Sequence, residues 1–264
     1  MTVGNRTGGR RARAGDAVLT RNVAPGVHRL AHAFVNCYLL VEGDEVTIVD
    51  AALPKTWALL PAALEAIGAD RRAVKALVLT HAHFDHLGFA RRMHEQWRVP
   101  VFGHPIEDYI AAHPYRYAHE NPRAIYPIAH PRGIPILTRM AAAGAFGVRG
   151  IESLRGFAPG DVLPVPGSPR VVFSPGHTYG HSALHLPERD ALLSGDALVT
   201  LDPYTGRTGP RIVAGAATAD SALALASLDA LAATEARIVL PGHGEPWRAG
   251  VRSAVALARS AGRA

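Results

Sequence analysis

Apolar residues in this chain fall into short runs bounded by polar or turn-forming residues, and run length and spacing say what each builds. Val27–Ala31, Val35–Val41 and Val46–Val49 have strand length, and Gly43-Asp44 between the last two has hairpin-turn chemistry. Thr56–Ile67 carries apolar residues at helical spacing and stops at Gly68, which suits a C-cap. Val74–Leu79 reads as a buried strand, Leu87–Trp97 as a helix and Val99–Phe102 as a short strand. Strands resume with Arg170–Phe173, Ser182–Leu186 and Ala191–Ser194, the last two joined by Pro187–Asp190. A leucine-rich helix over Ala216–Ala233, capped near Thr218, a strand at Arg237–Leu240 and a helix at Val251–Arg259 complete the pattern. Alternating strands and helices predict an α/β protein. The β-rich stretch occurs twice, each time followed by helices, which allows a two-sheet sandwich built from two halves.

One stretch breaks the pattern. Pro105 to about Pro164 is rich in proline, histidine, tyrosine and arginine, with a helical piece at Pro135–Phe146. It reads as an inserted helical flap within a single domain covering residues 17–264. Such insertions are often lids or binding loops, and a purely structural insertion is the competing reading, because loops tolerate insertion cheaply.

Composition removes several function classes. No stretch approaches the ~18–20 continuous apolar residues of a membrane span. Residues 1–16 form a basic tail, expected to be disordered, without the apolar segment of a secretory signal. A lone cysteine, Cys37, means no disulfide framework and fits a reducing cytoplasm. Of the net charge of +6, Arg6, Arg10, Arg11 and Arg13 against Asp16 supply +3, so the body is only mildly basic. No basic surface interleaved with aromatics is visible, and no nucleic-acid partner is expected.

The chemistry concentrates in Thr80–Gly88, where His81, His83, Asp85 and His86 follow the Val74–Leu79 strand. Histidine and aspartate are ordinary ligands of zinc and its first-row neighbours. His81 and His83 can close on one ion if the backbone turns after the strand, and Asp85 and His86 suggest a second. Three more residues occupy turns just beyond apolar strands: His177 in Pro175-Gly176-His177, Asp196 in Ser194-Gly195-Asp196, and His243 in Pro241-Gly242-His243. One ion would take His81, His83 and His177, the other Asp85, His86 and His243, with Asp196 as a bridge. A structural zinc usually takes cysteine-rich ligation, so the cluster reads as catalytic.

These motifs, in this order and with Asp50 preceding them, resemble the metallo-β-lactamase superfamily from about Val27 to Trp247. The resemblance implies an αββα sandwich of two facing mixed β-sheets, with metals at one sheet edge. An aspartate at the Asp196 position is similar to the glyoxalase II-like and acyl-homoserine lactonase-like members, and the true β-lactamases of the fold lack it. Flavodiiron oxygen reductases carry Glu where this chain has His83, and persulfide dioxygenases are similar but use one iron. Glyoxalase II proper is disfavoured, because its glutathione-binding region is not evident after Trp247. The implied activity is a dinuclear metal-dependent hydrolase, in which a metal-bridging hydroxide attacks the carbonyl of a small ester, lactone or thioester. A phosphodiesterase or nuclease of the same fold and a β-lactam hydrolase are the alternatives. Two divalent ions are expected, zinc first, with iron or manganese accepting the same ligands.

Asp85 is the candidate to pass a proton to the leaving group. Asp50 is assigned to orienting a ligand or a loop, or equally to capping the strand-end turn. A tyrosine near the position of Tyr204 contacts the substrate carbonyl in lactonases of this fold. The resemblance places His181 in a structural Gly-His-Ser turn. His104, His113, His119 and His130 read as surface residues near the flap, and Phe84 as a packing residue. The expected partner is a small-molecule substrate, with no membrane, and an exposed apolar flap would favour a homodimer.

Overall fold

A computed structural model describes residues 4–5, 16–152 and 154–263 of the chain. Its first sheet holds β1 (Gly4–Asn5), β2 (Val18–Ala24), β3 (Val27–His32), β4 (Val35–Glu42), β5 (Glu45–Val49), β6 (Val74–Val78), β7 (Val101–Gly103) and β8 (Arg155–Gly156), in that spatial order. The strands from β2 to β5 are antiparallel neighbours, and β5 to β8 run parallel. The second sheet holds β9 (Arg170–Phe173), β10 (Ser182–Leu186), β11 (Ala191–Gly195) and, parallel to β11, β14 (Ile238–Pro241). Between them in sequence, β12 (Val199–Leu201) and β13 (Thr208–Arg211) form a separate antiparallel pair.

Alternation along each strand builds the layers, because successive side chains point to opposite faces. In β4, Cys37 and Leu39 face one core, while Tyr38 and Leu40 face another. In β11 and β14, Leu193 and Leu240 join that same central core, while Leu192 and Val239 face a third. The central core is thus sandwiched between the two sheets. The first core packs under α1 (Leu60–Ala66) and α3 (Ala90–Trp97), the third under α7 (Ser221–Ala232) and α8 (Val251–Ala261). Both faces of these strands are covered, so they read as continuous apolar runs rather than alternating ones. The result is the four-layer αββα sandwich expected above.

Several element limits differ from the sequence pattern for local reasons. The helix expected over Leu87–Trp97 is split into α2 (Phe84–Leu87) and α3 at Gly88. There the Gly88 and Phe89 amides donate to Ala52 and Ala51 instead of continuing the helix, at 2.7 and 3.0 Å. A Cβ on Gly88 would lie 2.2 Å from the Ala52 carbonyl oxygen, so only glycine allows this crossing. The helix expected from Ala216 starts at Ser221, because Asp220, not Thr218, accepts from the Leu223 amide at 2.8 Å. Strands β2, β12 and β13 carry no clear sequence signal: polar Thr20-Arg21-Asn22 interrupts the first, and Gly209 and Pro210 sit in the last.

The flap contains α4 (Asp108–Ala112), α5 (Tyr126–Ala129) and α6 (Ile134–Ala142) before the chain returns as β8. Ile136, Met140, Val148 and Ile151 bury against the first core, so the segment is packed onto the domain. The basic tail lies outside the described residues, apart from Gly4–Asn5, which pair with Val18 and Leu19, and Asp16. Among the described residues, no helix is long and apolar enough to cross a membrane.

Candidate metal centre

Strand β6 delivers the first four candidate ligands. The chain leaves Val78 and turns through Thr80, whose amide donates to Asp50 Oδ1 at 2.8 Å. Thr80 Oγ1 donates to the same carboxylate at 2.9 Å. Asp50 itself sits in the left-handed region at φ 62°, which a short polar side chain tolerates. Its Oδ2 also lies 3.0 Å from His86 Nδ1. Asp50 therefore does both jobs considered for it: it fixes the strand-end turn and orients His86.

The loop after β14 brings His243 from the opposite sheet. Asn36 Nδ2 donates to the carbonyls of Pro241 and Gly244 at 2.8 Å each, and Tyr38 Oη to Pro241 at 2.7 Å. Gly242 passes so close to the site that a Cβ would lie 2.2 Å from Asp196 Oδ1 and 2.6 Å from His86 Cε1. His177 follows β9, and Asp196 directly follows β11.

All seven sequence-nominated positions come together and are buried. Three groups have ligand atoms close enough to share an ion: His81, His83 and His177; Asp85, His86 and His243; and His81, His86 and Asp196. Asp196 stands between the first two. Its Oδ2 lies 3.6 Å from His177 Nε2 and 3.2 Å from His243 Nε2, and its Oδ1 lies 3.5 Å from His86 Nε2. Asp85 Oδ2 is 3.3 Å from His243 Nε2.

The hydrogen bonds of the imidazoles show which edge faces the centre. Nδ1 of His81 meets Thr80 Oγ1 at 3.0 Å, that of His86 meets Asp50, that of His177 meets Thr218 Oγ1 at 3.3 Å, and that of His243 meets the Phe34 carbonyl at 2.8 Å. The Nε2 atoms of His81, His83, His86, His177 and His243, and Asp196 Oδ1, are buried without a hydrogen-bond partner. Buried polar atoms are normally satisfied, and converging lone pairs of this kind are satisfied by a cation. Burial holds His81 and His83 well below the usual histidine range and His177 at about 4, so they are neutral donors. Burial alone would also depress His243, but the Asp196 and Asp85 carboxylates outweigh it and raise it to about 10. The space between these carboxylates favours positive charge. The donor set fits divalent metal ions.

His181 lies outside the cluster of donors. Its Nε2 accepts from the amides of Asp196 and Ala197 at 3.1 and 3.2 Å, and Nδ1 meets Ser174 Oγ at 2.9 Å. Burial pushes it down to about 3, which keeps it neutral and able to accept. It holds the Asp196 turn. His104, His113, His119 and His130 belong to none of the metal-holding groups among the described residues. Phe84 stacks with Tyr115, ring centroids 5.9 Å apart.

Two flap residues of the site are not legible in the sequence. Glu107, 1% exposed, accepts from the Ala82 amide with Oε2 and from the Gly180 amide with Oε1, both at 2.9 Å. It ties the loop of His81 and His83 to the loop that follows His177. The Tyr117 ring lies against His83 at 3.8 Å between centroids, tilted by 35°, and its hydroxyl shares a hydrogen bond with that of Tyr204. Burial and the nearby Asp85 charge push the Tyr204 phenol up to about 12, so it is a proton donor at neutral pH. Nothing in sequence spacing separates Glu107 or Tyr117 from the other polar residues of the flap.

Comparison with known proteins agrees with this geometry. The probable metallo-hydrolase YflN of Bacillus subtilis (strain 168) is 28% identical over 237 residues, covering 84% of this chain and 85% of that protein. The crystal structure of metallo-beta-lactamase family protein TTHA1429 from Thermus thermophilus superposes with a TM-score of 0.64, at 28% identity, over 88% of this chain and 78% of that one. TTHA1623, solved in a di-iron-bound form, superposes with a TM-score of 0.55 at 25% identity, over 83% of this chain and 92% of that one. The profile of the metallo-beta-lactamase superfamily matches residues 31–243, the span that contains every candidate ligand. The chain is a metal-dependent hydrolase that belongs to the metallo-beta-lactamase superfamily.

Proposed function

We propose that the protein is a dinuclear hydrolase of small carboxyl esters, lactones or thioesters, working in the cytoplasm. The observation that carries this reading is Asp196, whose two carboxylate oxygens face both histidine sets. His81, His83 and His177 would hold one divalent ion, and Asp85, His86 and His243 the other, with Asp196 shared. Zinc is the first candidate, and iron is supported by the di-iron form of TTHA1623. When bound, the ions supply Lewis acidity and a nucleophile drawn from water.

The chain's own residues do the rest. Thr80, Asp50, Thr218 and the Phe34 carbonyl fix four imidazoles by their Nδ1 edges, so that each presents Nε2 without reorganisation. Asp85 turns Oδ2 to His243 and keeps Oδ1 to carry a proton to the departing alkoxide or thiolate. The protonated Tyr204 hydroxyl, near the Asp85 charge, would donate to the substrate carbonyl oxygen. Tyr117 covers His83 and shields that side from water.

The test is hydrolysis by metal-analysed protein of an acyl-homoserine lactone, an aryl ester, S-lactoylglutathione, nitrocefin and bis-p-nitrophenyl phosphate. Turnover confined to the carboxyl substrates, and lost in Asp196→Ala and His83→Ala, is the expected result. Turnover of the phosphodiester alone would overturn it in favour of a nuclease.

A further inference from the structure

The flap places a cation near the candidate metal centre and, among the described residues, gives it no carboxylate counter-ion. Arg123 is half-buried, its Nε donates to the Ala216 carbonyl at 3.1 Å, and its guanidinium carbon lies 4.3 Å over the Tyr117 ring. Tyr117 in turn lies against His83, its ring tilted by 35°, so guanidinium, phenol and imidazole form one column of contacts that ends at a candidate ligand. Nη2 of Arg123 is buried and finds no acceptor, and no carboxylate pairs with this arginine among the described residues. Tyr117 links it to the site, meeting His83 with its ring and Tyr204 with its hydroxyl.

A structural explanation accounts for only part of this. Tethering the flap to residues 214–218 is already done by Glu120 and Asn121, whose amides donate to the Thr218 and Gly215 carbonyls at 3.0 Å. Arg123 adds one bond through Nε, for which a neutral donor would serve, and a cation–π contact with Tyr117, which leaves Nη2 without an acceptor. Keeping a full charge there with the Tyr117 ring face beside it, and no carboxylate among the described residues, still carries a desolvation cost. A guanidinium fork is well suited to a carboxylate, which would satisfy both the charge and the open Nη2.

We propose that Arg123 is a specificity-determining residue that receives a substrate carboxylate, so that the preferred substrates are acyl esters, lactones or thioesters with a second, anionic carboxyl group. That group would stand a few methylenes from the scissile carbonyl, the column of Tyr117 and His83 setting the separation. The proposal rests on the hydrolase reading above.

The experiment compares p-nitrophenyl butyrate with mono-p-nitrophenyl glutarate, in metal-loaded wild type, Arg123→Met and Arg123→Gln, with thermal unfolding to confirm that the variants fold. Titration calorimetry with butyrate and glutarate gives a readout that does not need turnover. One charge-assisted contact predicts about a 10–100-fold preference for the dianionic product and for the anionic ester in wild type. Both preferences are expected to collapse in either variant, the kinetic one mainly through KM. Arg123→Gln keeps a donor for the Ala216 carbonyl, so a collapse shared by both variants reflects charge rather than lost tethering. Wild type without a preference, or variants that keep it, would overturn the proposal whatever the rate of ester hydrolysis. An Arg123-dependent preference for glutarate, with both esters inert, would support the subsite and sink the esterase reading alone.

Discussion

Glu107 offers the sharpest test of how the flap supports the site. Replacing it with alanine removes the acceptor for two buried amides, Ala82 and Gly180, each held at 2.9 Å by a carboxylate that is 1% exposed. Hydrogen bonds to a charged group contribute roughly 1.5–3 kcal/mol each, and amides left buried and unsatisfied carry their desolvation penalty. Part of this is offset, because burial already penalises the Glu107 carboxylate and raises its pKa. The net expectation is a loss of about 2–4 kcal/mol, which for a domain of this size lowers Tm by roughly 5–15 °C. Glu107→Gln keeps one acceptor oxygen but turns an NH2 towards a second N–H, so it should fall between wild type and alanine. The assay is calorimetric unfolding at fixed zinc, with metal content measured on the same samples. The loops joined are those of His81, His83 and His177, so zinc stoichiometry should fall with stability. An alanine variant within about 1 kcal/mol of wild type, with full metal content, would show that Glu107 does not hold these loops together.

Chelation should lower Tm, because ions that bind only the folded chain stabilise it by mass action, about 2.7 kcal/mol at a hundredfold excess over Kd; identical unfolding curves with and without chelator would refute a metal-linked fold. Gly242→Ala places a methyl against Asp196 and His86, and is expected to reduce the metal bound per chain below the wild-type content while leaving far-UV circular dichroism close to wild type. Retention of the wild-type metal content would mean the loop gives way at little cost. Cys37 is fully buried and desolvation raises its thiol pKa strongly, so a thiol reagent should modify it only on global unfolding, and rapid labelling of the native protein would contradict its placement in the core.

The sandwich is readable where both faces of a strand are covered, because β4, β6 and β11 then appear as mostly apolar runs with a single polar residue inside or at an end of the buried stretch. The candidate ligands are readable because each lies at the end of such a run, where a side chain can leave the core without unfolding its neighbours. Strand β2 is hidden because it alternates into Thr20, Arg21 and Asn22, with Arg21 and Asn22 exposed. The sequence pattern starts helix α7 too early because Ala216-Ala217-Thr218 has helical composition, although Thr218 Oγ1 donates to the Val213 carbonyl at 2.7 Å and stays in a turn beside His177. Glu107, Tyr117 and Arg123 are hidden for a different reason. Their roles come from partners far away in sequence, and a local pattern carries no trace of such contacts.

The division of the candidate ligands between the sheets has a consequence for assembly. His81, His83, Asp85 and His86 follow a strand of the first sheet, whereas His177, Asp196 and His243 follow strands of the second. Neither half can offer a complete coordination sphere by itself. Tight metal uptake therefore has to wait until the halves have docked, and the bound ions then act as rivets across the seam. Refolding in chelator should form the docked sandwich at the same rate as refolding in zinc, with the ions slowing only the reverse step.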